Sequence, residues 1–182
     1  MLSTFRNIEN LTIWHNPITL EVLEKMKDLP LRMLSMGLEH LRLDEASKNF
    51  PAFRNITHLK IISTLTQRDC KALVNFPKLT HLCVFSQDED MLDVLQDYPS
   101  LQVMICLPYD HRFTIKSDDP RLLVFWDCLS VEDAILEWKR SANGRIGFWE
   151  LAEIIIEARK SEIYSFLHFF IYIDLFFYRR FL

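Results

Sequence analysis

Three histidines sit in similar surroundings: Glu39-His40-Leu41, Thr57-His58-Leu59 and Thr80-His81-Leu82. Cys83 follows His81 by two positions. A column of imidazoles can hold a metal or sense pH, because the neutral ring is a ligand and titrates near neutrality. A thiol beside an imidazole can become a nucleophile once the base takes its proton. Three consecutive carboxylates, Asp88-Glu89-Asp90, offer acid–base chemistry. Each suggestion needs partners. A zinc site needs an ordered second pair of ligands, and none is spaced to supply it. The thiol needs an orienting amide or carboxylate and an oxyanion turn, and neither is recognisable. The carboxylates read more simply as the charged start of a helix carrying Met91, Leu92 and Leu95, facing the positive end of its dipole. The expectation is a protein without catalysis, cofactor or metal. Its histidines are strand residues on the solvent side. Two charges about 5 Å apart in water repel by roughly 0.8 kcal/mol, too little for a sharp pH switch.

Composition narrows the class further. The chain has 182 residues, one domain's length, with 49% hydrophobic and 25% charged residues. A net charge of -4 argues against nucleic acid as a partner, which requires a basic face. Cys70, Cys83, Cys106 and Cys128 form no CxxC, and no secretory signal follows Met1. They read as reduced thiols in a cytoplasmic or nuclear protein. Gly37, Gly144 and Gly147 are the only glycines, too few for a phosphate-cradling loop.

The elements that position the histidines repeat. Phe5-Arg6-Asn7-Ile8-x-x-Leu11 recurs as Phe53-Arg54-Asn55-Ile56-x-x-Leu59. Pro30, Pro51, Pro77, Pro99 and Pro120 punctuate the chain at intervals of 21, 26, 22 and 21 residues. An apolar-x-x-apolar-x-apolar segment follows: Ile8-Leu11-Ile13, Leu38-Leu41-Leu43, Ile56-Leu59-Ile61, Leu79-Leu82-Val84 and Leu101-Met104-Cys106, with a degenerate sixth over 122–125. Each ends in a short strand by its alternation. Helices lie between. Asn16-Pro17 starts one that carries Ile18, Val22 and Met26 on a face. Thr66-x-x-Asp69 is a capping box. A strand, a helix and a proline turn every 20 to 26 residues is similar to a leucine-rich repeat. The fold class expected is an α/β solenoid: a curved parallel sheet on the concave side, helices outside, C-terminal helices closing it. One unit cannot bury its own apolar face, and stacking several makes a continuous core.

Further along stand Asp118-Asp119-Pro120-Arg121, Leu136-Glu137-Trp138, Gly147-Phe148-Trp149-x-x-Ala152-Glu153 and Ala158-Arg159-Lys160-Ser161. With the repeats they resemble the C-terminal half of the F-box/leucine-rich-repeat-like proteins of mushroom-forming (basidiomycete) fungi, over residues 5 to 162. The resemblance implies substrate recognition in a ubiquitin ligase, with the repeats holding a protein target. The F-box would lie upstream, so a ligase adaptor is expected as partner only where such a box precedes these residues. The asparagine or cysteine that usually closes each strand segment is present as Asn16 and replaced by Ala46, Thr64, Gln87 and Tyr109.

Three regions follow: the solenoid at 1–128, capping helices at 129–162 and an apolar, aromatic-rich tail at 163–182. Ser130-x-x-Asp133 caps a helix that Asn143-Gly144 ends. A second runs from Phe148 to Lys160. The tail has three readings: an extension foreign to the fold, a helix packed on the body, or a membrane anchor. The last makes the rival function, a tail-anchored protein displaying its repeats to the cytosol. The leading function is a non-enzymatic protein-recognition module. Its expected contact residues are His58, His81, Phe85, Val103, Ile105, Leu107 and Trp126, outward on the strands. Early strands show polar residues there (Asn10, Thr12, His40, Arg42, Asp44), and later ones apolar residues, Val124 included. That late patch either holds a partner or is covered by the C-terminal segment.

Overall fold

Pro30, Pro77 and Pro99 each fall between a helix and the strand that follows it, and the computed structural model shows six strands in one sheet. It describes residues 7–13, 18–38, 42–85, 91–107, 117–125 and 146–161. The strands are β1 (Asn10–Ile13), β2 (Met33–Met36), β3 (His58–Thr64), β4 (His81–Phe85), β5 (Val103–Cys106) and β6 (Leu122–Val124). All neighbours are parallel and the spatial order is the chain order. Between them run α1 (Leu20–Met26), α2 (Leu43–Asn49), α3 (Gln67–Ala72) and α4 (Met91–Asp97). A 3-10 turn, Pro51–Asn55, follows α2, and another, Leu73–Asn75, follows α3. This is an α/β fold of leucine-rich-repeat type.

The register makes the repeat physical. Leu11, Leu34, Leu59, Leu82, Met104 and Leu122 stand in one column, and Ile13, Met36, Ile61, Val84, Cys106 and Val124 in the next. Both columns face the helices. They join Leu23 and Met26 of α1, Leu43 and Ala46 of α2, and Val94 and Leu95 of α4 in one apolar core. Phe53 and Phe76, from the turns after α2 and α3, stack with ring centroids 5.5 Å apart.

The second unit corrects the sequence reading. Its strand is Met33–Met36, carried by Leu31-x-x-Leu34-x-Met36, and not by Leu38-Leu41-Leu43. Leu43 opens α2 and enters the core from the helix layer. The long interval from Leu11 to Leu41 therefore disappears: Leu34 follows Leu11 by 23 residues, and Pro30 sits directly before its unit. Arg42, Asp44 and Ala46 leave the strand layer with it. Arg42 precedes α2 and pairs with Glu45 at 2.8 Å, while Asp44 takes Arg68 at 2.7 Å. The first helix is also capped differently. Thr19 is its N-cap, accepting from the Val22 N–H at 3.3 Å. Asn16 and Pro17 lie outside the described residues. The Thr66/Asp69 box forms as expected, with both reciprocal bonds made.

The chain divides into two units: residues 1–117 with 122–128, and residues 118–121 with 129–182. In the second, α5 (Phe148–Lys160) matches the expected helix end to end. The Glu150 carboxylate reaches back to the Gly147 N–H at 3.1 Å. Phe148, Ala152, Ile155, Ile156 and Ala158 are its buried residues. The expected helix over 131–141 and the tail at 163–182 lie outside the described residues. Among the described residues no helix is long and apolar enough to cross a membrane.

Candidate protein-binding face

The face of the sheet turned away from the helices carries two further columns. One is Asn10, Met33, His58, His81 and Val103; the other is Thr12, Ser35, Lys60, Cys83, Ile105 and Leu123. His58 and His81 are therefore adjacent, and their rings stack with centroids 4.0 Å apart and planes 15° apart. His40 lies outside the described residues, and the column position beside His58 in the second strand is taken by Met33.

The repeated Thr-His-Leu now has a cause. The carbonyl of Arg32 accepts from the N–H groups of Thr57 and His58, at 2.8 and 3.1 Å. It also accepts from the Thr57 hydroxyl at 3.1 Å. One unit later the carbonyl of Thr57 takes the same three donors: the N–H groups of Thr80 and His81 and the Thr80 hydroxyl. Each hydroxyl lies 2.8 Å from Nδ1 of the following histidine. A hydroxyl has one proton, and here it goes to the carbonyl, so the Thr oxygen accepts from Nδ1–H. The leucine then turns the other way, into the core. Threonine ties one unit to the last, histidine is oriented by it, and leucine anchors the strand.

This environment also overturns the picture of freely solvated rings. His81 is buried and His58 half-buried. Burial pushes the His58 pKa down to about 3, with the neighbouring His81 and then Arg32 adding to the shift. Desolvation, more than repulsion between the two rings, sets it. Stacked rings hold their Nε2 lone pairs side by side, whereas a chelate needs them to converge. Among the described residues no three or more His, Cys, Asp or Glu side chains are grouped to hold a metal ion. Cys83 does share its face with His81 and is buried. Cys106 points the other way, and burial pushes its thiol up to about 12.

The late patch is real in register and closed in fact. Val103, Ile105 and Leu107 turn away from the helices, yet their exposures are 2%, 0% and 1%. None of them, nor Cys83 or Leu123, belongs to the repeat core. These residues therefore do not offer an open surface. Phe85, at the end of β4, is half-buried. Val124 was expected outward and instead packs against the core, because Leu123 takes the outward position opposite Ile105. Trp126 lies outside the described residues. The accessible positions of the face lie at the starts of the earlier strands: Asn10 is exposed, Thr12, Met33 and His58 are half-buried, and Arg32, just before β2, is exposed, whereas Ser35 and Lys60 of β2 and β3 are buried. Met33 and Arg32 escaped the sequence reading because the second strand was placed too late in the chain. The proline at Pro30 was the signal that could have placed it.

Asp119 and Arg121 of the Asp-Asp-Pro-Arg motif make a local turn. Asp119 accepts from the Arg121 backbone N–H at 2.9 Å and from its guanidinium at 2.7 Å. The guanidinium bond lowers the Asp119 pKa. The motif thus has a structural task.

Comparison with family models, with curated proteins and with solved structures returns no match.

Proposed function

We propose that the chain is a non-enzymatic protein-recognition module, similar in role to the substrate-holding repeats of F-box ubiquitin-ligase receptors. The observation that carries this is the division of the outward face. Ser35, Lys60 and the later strands are closed, while Met33 and His58 on consecutive strands stay half-buried beside the exposed Arg32 that precedes β2, held by the threonine ties. A rigid surface loses little entropy on binding. A long cationic side chain beside a thioether and an imidazole suits a protein partner, since Arg and Met are enriched where proteins meet. The contacts proposed are thus Arg32, Met33 and His58, with Phe85 at the margin. A ligase adaptor enters as a partner only through an F-box joined to this chain.

The test is site-specific photocrosslinking in extract of the native host. A photoreactive phenylalanine analogue at position 33 should capture one defined protein. The same group at position 24, on the exposed side of α1, should not. Capture should be lost in Arg32→Glu without a change in melting temperature. Equal capture from both positions, or none from position 33, rejects the proposal.

A further inference from the structure

β1 pairs only with β2 among the described residues, so its other edge is open there. The side chains show it. Leu34 and Met36 in the second strand are 2% and 0% exposed, and Leu59 and Ile61 in the third are both 0%. Their counterparts Leu11 and Ile13 are only partly buried. We propose that this edge is a self-association surface, on which β1 of a second copy pairs antiparallel about a two-fold axis at Thr12.

The phase of the strand selects the axis. Met33, His58 and His81 send their N–H groups back to the preceding unit, to the carbonyls of Glu9, Arg32 and Thr57. Asn10 stands in the same column, so its N–H points away from β2. The N–H and C=O of Thr12, two residues on, point the same way. An antiparallel pair exchanges both bonds between directly opposite residues of this phase. With the axis at Thr12, the two Thr12 residues make that exchange. Leu11 then faces the partner's Ile13, and Ile13 faces the partner's Leu11, all four on the helix side of the sheet. Threonines directly opposite one another are a favourable cross-strand pair. An axis at Asn10 would instead set Leu11 against the partner's Glu9. At the far edge, Leu122 and Leu123 of β6 are 5% and 1% exposed. The two edges are therefore unlike, which disfavours head-to-tail growth and favours a closed pair.

Sedimentation velocity of the full chain between roughly 1 and 100 µM, where weak dimers populate, should show a reversible monomer–dimer equilibrium. Thr12→Pro removes the N–H at the axis without touching a bond to β2, and Thr12→Lys sets two like charges opposite each other. Both should weaken the dimer tenfold or more with an unchanged circular dichroism spectrum. The Thr12 amide should exchange more slowly as wild-type concentration rises. A wild-type monomer across the range overturns the proposal, as does a dimer that survives Thr12→Lys. Should Thr12→Pro unfold the chain, Thr12→Lys and the Thr12 exchange rate decide alone.

Discussion

Acidification should destabilise this protein through His58. The ring is neutral in the fold, with its pKa pushed down to about 3 from 6.5. The unfolded chain binds a proton there below pH 6.5 and the folded chain does not. Stability is therefore complete above about pH 6.5 and falls as pH drops toward 3. From pH 7 to pH 5 the full shift corresponds to about 2 kcal/mol. His58 is only half-buried, and solvent screening brings the expectation to about 1 kcal/mol. Urea unfolding at the two pH values measures it. The control is His58→Asn, whose amide can still donate to the Thr57 hydroxyl but cannot titrate. Taking the difference between wild type and variant cancels the titrating groups that do not touch His58. The wild type should lose about 1 kcal/mol more than the variant. Equal losses, or a His58 carbon resonance that titrates near 6.5, would refute the reasoning, because the ring would then be solvated.

Four further outcomes follow from the packing. Leu59→Ala, at a fully buried position in the middle of the core column, should cost about 3 kcal/mol in urea unfolding. Thr80→Val keeps the shape but removes the hydroxyl between the Thr57 carbonyl and His81, and should cost about 1–2 kcal/mol, with an altered His81 nitrogen spectrum. Ile105→Asp should abolish the cooperative melt, since it buries a charge in the closed strip. Met33→Asp, on the accessible half, should move the unfolding free energy by less than about 1 kcal/mol.

Much of the fold was legible because the repeat writes it several times. The Leu-x-x-Leu-x-apolar spacing located β3, β4 and β5, and the Thr66 box and the helix from Phe148 to Lys160 were visible from capping chemistry and periodicity. The second unit was misplaced because Leu38, Leu41 and Leu43 imitate the same spacing across a strand end and a helix start. Spacing alone does not distinguish the two, and the proline phase does. The site was less legible. Alternation told which side chains leave the core, and it was right for His58, His81, Val103 and Ile105. It carries no information on what lies over them, because burial of an outward face is a tertiary property. The low pKa of His58 was missed for the same reason.

The unequal unit lengths reveal how such a chain tolerates change. From Leu34 to Leu59 the step is 25 residues, against 23 on either side. The strands nonetheless stay in register from β2 to the first half of β3. That interval contains the 3-10 turn Pro51–Asn55, and β3 itself shifts register only after Ile61, where its ladder with β4 skips to Thr64. The extra residues before β3 are thus absorbed outside the strand ladder and the irregularity within β3 is confined to its far end, while the carbonyls of Arg32 and Thr57 stay on their rungs. A duplicated or lengthened segment need only bring its own apolar spacing and one donor pair for the rung beneath. Gene duplication can extend a molecule built this way without redesigning it, and insertions should accumulate on the helix side while strand spacing persists.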